Sequence, residues 1–227
     1  MATSSSNPSG ADLVLGSIDR LGIGVREIFR HAGVEPNNAL QHLVRKGRIT
    51  SVRRALPQGR AYYLPRGVSP LAARALNHRL AQAWFCLVHA RQTLALREAE
   101  VRLLLGMRAP SGMHVLTKAT GSAKVLQLYV PTTRDVAAGV IRMVERSSSS
   151  ADVVRAMGQG YYGFAVLLPW LSQVEQPLRQ ALRGESVPGF ADLARRGPLQ
   201  EQAPFEVARV PCVETLALAL KDLRGES

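Results

Sequence analysis

Five side chains able to read the edge of a base recur on one face of a single predicted helix. Asn37, Asn38, Gln41, His42 and Arg45 fall at i, i+1, i+4, i+5 and i+8, which at 3.6 residues per turn places them on one side. Leu40, Leu43 and Val44 take the other side. Asn and Gln can pair bidentately with adenine, and the Arg guanidinium matches the two acceptors of guanine. Lys46, Arg48, Arg53, Arg54 and Arg60 come next, with no Asp or Glu anywhere between Arg45 and Arg60. Positive charges this dense repel one another, and phosphates would neutralise them. The chemistry implied is recognition of double-stranded DNA, with bases read by the helix and phosphates gripped by the segment after it. An adaptor that docks an acidic protein partner on the same basic face is the alternative.

The elements that must hold these residues can be read around them. A helix with Leu13, Val14, Ile18 and Leu21 at helical spacing starts near Asp12 and stops at Gly22 and Gly24. Val25, Ile28, Phe29 and Ala32 form the apolar face of a short second helix that ends at Gly33, and the base-reading helix spans 36–46 with Pro36 in its first turn and Gly47 after its end. The pattern then becomes β-branched and basic over 48–54, turns at Pro57-Gln58-Gly59-Arg60 and returns over 61–64. Alternation within that return strand predicts one of Tyr62 and Tyr63 packed inward and the other facing out. The fold expected for residues 12–67 is an α+β winged helix-turn-helix, preceded over 1–11 by a Ser/Asn/Pro/Gly tail with nothing to bury.

The remaining chain reads as an α/β unit. A helix over 69–91, offering Leu71, Leu76, Leu80, Trp84, Leu87 and Val88 for burial, is expected to link two domains across 68–92. Within 93–227, helices are predicted over 94–105, 136–145, 151–157, 171–182 and 214–223, and strands over 115–118, 125–130, 162–168 and 205–210. The nearly all-apolar strands suit a sheet covered on both faces, with 125–130 near its centre.

Composition bounds the classes. The 227 residues are 46% hydrophobic and 20% charged, enough apolar content for a packed core. Twenty-nine Lys and Arg against 17 Asp and Glu give +12, which suits a polyanionic partner. Residues 1–80 hold twelve of the basic side chains and four of the acids, a net of +8, so the positive field is concentrated there. No apolar run reaches membrane-spanning length and no targeting pattern opens the chain, so a cytoplasmic protein without membrane contact is expected. Cys86 and Cys212 sit apart in apolar surroundings as buried thiols. His31, His42, His78, His89 and His114 show no metal spacing. Gly158-Gln159-Gly160-Tyr161-Tyr162-Gly163 precedes a strand, whereas a phosphate-cradling loop opens a helix. No cofactor is expected.

Three stretches together resemble a known family. The hairpin ending Gly59-Arg60-Ala61-Tyr62-Tyr63-Leu64, the linking-helix sequence Asn77-His78-Arg79-Leu80, and the closing strand Tyr162-Gly163-Phe164-Ala165-Val166-Leu167-Leu168-Pro169 are similar to the replication-relaxation family of plasmids and conjugative elements, over residues 12–183. The resemblance implies a winged helix coupled to a domain like the PD-(D/E)xK restriction-endonuclease fold, acting on mobile-element DNA in replication, transfer or transcriptional regulation. A metal-dependent nuclease is the further alternative it raises. Such an enzyme needs carboxylates at the end of a central strand to hold Mg²⁺ and a lysine to help activate water. Here Val125-Leu126-Gln127-Leu128-Tyr129-Val130 leads into Pro131-Thr132-Thr133-Arg134-Asp135 with no carboxylate in the strand and no D/ExK triplet. Asp135 is expected to cap the next helix, and Glu98, Glu100 and Asp135 are the only acids considered for convergence. The expectation is a degenerate, non-enzymatic nuclease-like shell. It would serve homodimerisation or docking of a partner such as a relaxase or a replication protein.

Overall fold

The computed structural model describes residues 10–89, 93–108, 110–119, 122–131 and 135–225. Residues 1–9 of the expected tail and 90–92 of the expected linking helix lie outside them. Helix α1 (Gly10–Leu21) starts two residues earlier than its sequence pattern and buries Val14, Ile18 and Leu21, leaving Leu13 exposed. Strand β1 (Gly24–Val25), α2 (Arg26–His31), α3 (Asn37–Arg45), β2 (Ile49–Leu56), a 3₁₀ turn (Pro57–Gly59) and β3 (Arg60–Pro65) follow. The three strands form an antiparallel sheet in the order β1-β3-β2. Sequence reading places only a break at Gly24, because two residues carry no periodicity. The strand exists because the edge of β3 offers backbone groups that need partners.

Both Tyr62 and Tyr63 are buried, at 1% and 7% exposure, which corrects the expectation that one would face out. The reason is that both faces of this small sheet are covered. Tyr63 packs with Val14, Ile18, Phe29, Leu40 and Leu43 of the three helices. Tyr62 and Leu64 point the other way, into a cluster centred on α4 (Ala73–Trp84) and the π-helical turn (Phe85–His89) that extends it.

The second sheet corrects one further expectation. Residues 94–105 read as a single helix, but Thr93–Leu96 is an edge strand, β4, and only Glu98–Leu105 is helical, as α5. Alternating apolar residues at a sheet edge are compatible with either period over so short a run. The helix start is set by Glu100, whose carboxylate accepts the Arg97 N–H at 2.8 Å. Strands β5 (His114–Ala119) and β6 (Ser122–Tyr129) form a hairpin. Next come α6 (Val136–Ser147), α7 (Ala151–Gly158), β7 (Tyr162–Pro169) and α8 (Glu175–Leu182), then the short α9 (Ala191–Ala194) and α10 (Leu199–Gln202), β8 (Phe205–Val210) and α11 (Leu216–Asp222). The order is β4-β5-β6-β7-β8, antiparallel up to β6 and parallel from β6 to β8. β6 is central, as its apolar sequence predicts, and Asp135 caps α6 by accepting the Ala138 N–H at 2.9 Å.

All residues of 162–168 are buried because helices cover both faces. Phe164, Val166 and Leu168 pack under α5 to α10, whereas Ala165 and Leu167 face α4, α11 and the small sheet. A single apolar cluster thus runs from Leu56, Tyr62 and Leu64 through Leu76, Leu80 and Trp84 to Val115, Leu126 and Ala165. Helix α4, expected to link two domains, packs as a layer against both sheets. Trp84 meets Trp170 edge-on at 5.5 Å between centroids. Arg20 of α1 makes bidentate contact with Glu100 of α5, at 2.8 and 2.9 Å, and also donates to the Ala95 carbonyl. Cys86 lies in the shared layer, where burial pushes its thiol up to about 12.

One polar chain threads the core beside β6. The His114 Nε2 lies 3.0 Å from the Tyr162 hydroxyl, which lies 3.1 Å from Gln127 Oε1, and Ser147 Oγ donates to the same oxygen at 3.0 Å. Burial lowers His114 from 6.5 to about 4, so it is neutral in the fold at pH 7.

Two outcomes test this architecture. Trp84→Ala should cost about 3–5 kcal/mol and shift one cooperative urea transition, since both sheets lean on the same side chain; separate melting of the N-terminal unit would refute the shared layer. For His114 the folded value lies below the unfolded one, so the unfolded chain binds the proton first. Stability should therefore fall as the pH drops from 6.5 towards 4, by up to about 3 kcal/mol. His114→Gln should flatten that slope, and a slope identical to the parent's would exclude His114 as its source.

Candidate nucleic-acid interface

The residues singled out by type and spacing sit on one continuous piece of chain whose shape is set by two local backbone devices. The first ends α3. Gly47, at φ 62°, lets its N–H reach the Val44 carbonyl and the Arg48 N–H reach the Leu43 carbonyl, both at 2.9 Å, the two bonds of a Schellman closure. The chain is thereby turned straight into β2 at Ile49. Arg45, Lys46 and Arg48 are all exposed around this corner, where the first two also complement the negative end of the helix dipole.

The second device interrupts β2. Val52 pairs with Tyr62 and Leu56 with Arg60, so Arg53, Arg54 and Ala55 stand opposite Ala61 alone. The bulge carries two extra residues, which keeps side-chain parity on both flanks: Val52 and Leu56 stay on the face of Tyr62. Arg53 and Arg54 are exposed on the bulge. Arg54 adopts φ 54°, in the left-handed region that costs a side-chain-bearing residue about 1 kcal/mol.

On α3, Leu40 and Leu43 are buried and Asn38, Gln41, His42 and Arg45 are exposed. Val44, expected on the packed side, is 36% exposed and borders the open face. Asn37 also differs from expectation. It is half-buried and its carboxamide oxygen is enclosed without a partner, because it lies one turn before the core residue Leu40. The outward face therefore narrows to four of the five.

Among the described residues, Arg45, Lys46, Arg48, Arg53 and Arg54 have no acid within ion-pair distance. Arg60 corrects the expected phosphate-gripping set. Its Nε lies 3.3 Å from Glu27 Oε1 of α2, with both side chains under one fifth exposed. The same guanidinium donates to the Pro57 carbonyl at 3.3 Å and to the Gln58 side chain. Arg60 thus braces the hairpin turn, and its charge is neutralised inside the protein. Antiparallel pairing brought it there, since the acid lies 33 positions away in sequence and only strand order makes them neighbours.

Arg66 was missed by sequence reading and belongs to the cluster. It is exposed, and its N–H donates to the Arg48 carbonyl at 3.2 Å, which sets the two residues opposite each other at the end of the hairpin. Counting back from the turn at Leu56 and Arg60 would set Arg48 opposite position 68; the bulge shifts this pairing by two.

The three carboxylates Glu98, Glu100 and Asp135 stand in separate surroundings. Glu100 is held by Arg20, whose guanidinium keeps its carboxyl below the usual range. Asp135 caps α6, and Glu98 is exposed beside a small cleft with Arg108 and His114. Among the described residues no group of three or more His, Cys, Asp or Glu side chains is placed to hold a metal ion, and no helix is long and apolar enough to cross a membrane. Neither a scan against protein-family models nor searches of curated proteins and of solved structures returns a significant match.

Arg54→Gly tests the bulge geometry directly. Removing the side chain from a left-handed position should raise thermal stability by up to about 1 kcal/mol. A loss of stability would mean that the Arg54 side chain contributes contacts outweighing its backbone strain.

Proposed function

We propose that this protein binds double-stranded DNA by setting α3 in a major groove and laying the β2–β3 hairpin against the flanking backbone. The observation that carries the reading is the run of exposed cations Arg45, Lys46 and Arg48 at the helix-turn-strand corner and Arg53 and Arg54 on the β2 bulge, none paired to an acid among the described residues. Three helices with a sheet of order β1-β3-β2 and a basic hairpin are the arrangement expected of a winged helix-turn-helix. Asn38, Gln41, His42 and Arg45 supply the base contacts. Lys46, Arg48, Arg53 and Arg54, joined by Arg66, supply the phosphate contacts. Arg60 acts by holding the turn.

The second sheet, two antiparallel pairings followed by parallel ones with helices on both faces, supports reading the C-terminal part as a nuclease-like shell. On the resemblance to the replication-relaxation family, we extend the proposal to a bacterial mobile element, with this shell serving self-association or partner docking rather than cleavage.

Binding of random duplexes at several salt concentrations tests the proposal. Arg53→Ala with Arg54→Ala should weaken all duplexes alike and reduce the salt slope by about 2, one phosphate each. Arg60→Ala should change the slope less than either. Gln41→Ala should instead alter sequence preference, by about 1–3 kcal/mol at one base pair. An unchanged slope in the double variant would overturn the hairpin assignment, and absence of duplex affinity at low salt would favour an acidic protein partner.

A further inference from the structure

A cleft of about 490 Å³ lies between β6 and α6, remote in sequence from α3 and the hairpin. Ser111, Gly112, Gln127, Tyr129, Arg142 and Arg146 contribute its polar lining, and among the described residues no carboxylate lines it. Arg142 and Arg146 stand one turn apart on α6. Neither forms an ion pair among the described residues. Like charges at this spacing repel by about 0.2–0.5 kcal/mol, a cost that an anion between them would remove.

The cleft is preorganised. Gln127 is 8% exposed, and its Nε2 donates to the Ser111 carbonyl at 2.8 Å while its Oε1 is held by Ser147 and Tyr162. The rim segment is thereby tied to the floor. On the opposite wall the Tyr129 hydroxyl lies directly against α6, where a Cβ on Gly139 would fall 1.7 Å from it. Only glycine at that position admits the phenol. Burial raises the Tyr129 hydroxyl above its ordinary range, with Asp135 acting in the same direction and Arg142 opposing, so it is a neutral donor at physiological pH. Met143 adds apolar surface to the wall.

Two guanidiniums, a neutral phenol and an acid-free lining are the chemistry that holds a phosphate oxyanion. The volume falls in the range of small-ligand pockets, about 300–1,000 Å³. We propose that this cleft binds the phosphate group of a phosphate ester, of the size of one nucleotide, with Arg142 and Arg146 as the cationic partners and Tyr129 as a hydrogen-bond donor. The ester is either a free nucleotide or one residue of a nucleic-acid strand.

Calorimetric titration of the full chain with AMP and with inorganic phosphate is the test. Saturable AMP binding is expected, with phosphate competing. R142Q/R146Q should weaken it at least about tenfold, Tyr129→Phe should weaken it less, and R53A/R54A should leave it unchanged. Both arginines are exposed, so the fold should survive; R146Q alone, titrated in the same way, gives a second measure. A short duplex then separates the sources. If it displaces AMP and binds R142Q/R146Q more weakly, the phosphate belongs to a nucleic-acid strand. If duplex affinity is untouched while AMP binding is lost, the ligand is a free nucleotide. No saturable binding of either probe up to about 10 mM, or binding that survives R142Q/R146Q, overturns the proposal. Neither outcome bears on the α3 interface, which the hairpin variants test separately.

Discussion

Two sheets of different size lean on one helix. Leu76, Leu80, Ala81, Ala83 and Trp84 of α4 belong to the same buried cluster as Tyr62 and Leu64 of the small sheet and Val115, Leu126 and Ala165 of the large one. A three-stranded sheet with a two-residue edge strand has little apolar area of its own, and small units of this kind are marginal without added burial. Sharing a layer removes that limit. It also ties the orientation of α3 and the hairpin to the large sheet, a tie reinforced by the Arg20 contact with Glu100 and the Ala95 carbonyl and by the Asn77 side chain, which accepts the Val213 N–H at 2.8 Å.

On that support, the basic corner is a matter of backbone more than of side-chain packing. A Schellman closure and a two-residue bulge present five cations that have no acid partner among the described residues, and the bulge holds Arg54 in a conformation that arginine adopts reluctantly. Internal neutralisation was available to the fold, as Arg60 and Glu27 demonstrate. Leaving the others unpaired keeps repulsion in the folded state that a polyanion would relieve. The same pattern recurs at Arg142 and Arg146, on a different element and around a concave site.

The core of the large sheet has a complementary character. Its polar chain from His114 through Tyr162 to Gln127 and Ser147 is closed by hydrogen bonds, and Gln127 also fixes the rim of the adjacent cleft. Buried networks of this kind specify one packing arrangement when every member is satisfied. Here the network couples the sheet's interior to the geometry of a surface cavity.

Local sequence determined the three helices of the N-terminal unit, the hairpin, the α6 cap at Asp135 and the buried strands β6 and β7, because caps, turn residues and apolar periodicity act over a few neighbouring residues. It also determined that α3 has an open polar face and that the segment after it is rich in unopposed charge. Tertiary structure decided the rest. β1 and β4 are strands only because a neighbouring edge accepts their backbone groups, and Tyr62 and Tyr63 are both interior because a second layer covers the small sheet. Arg60 met Glu27, Arg66 met Arg48, and Asn37 turned partly inward through strand order, a bulge and proximity to Leu40. Such pairings depend on which distant segments share a sheet or a layer, and no window of local sequence contains that information.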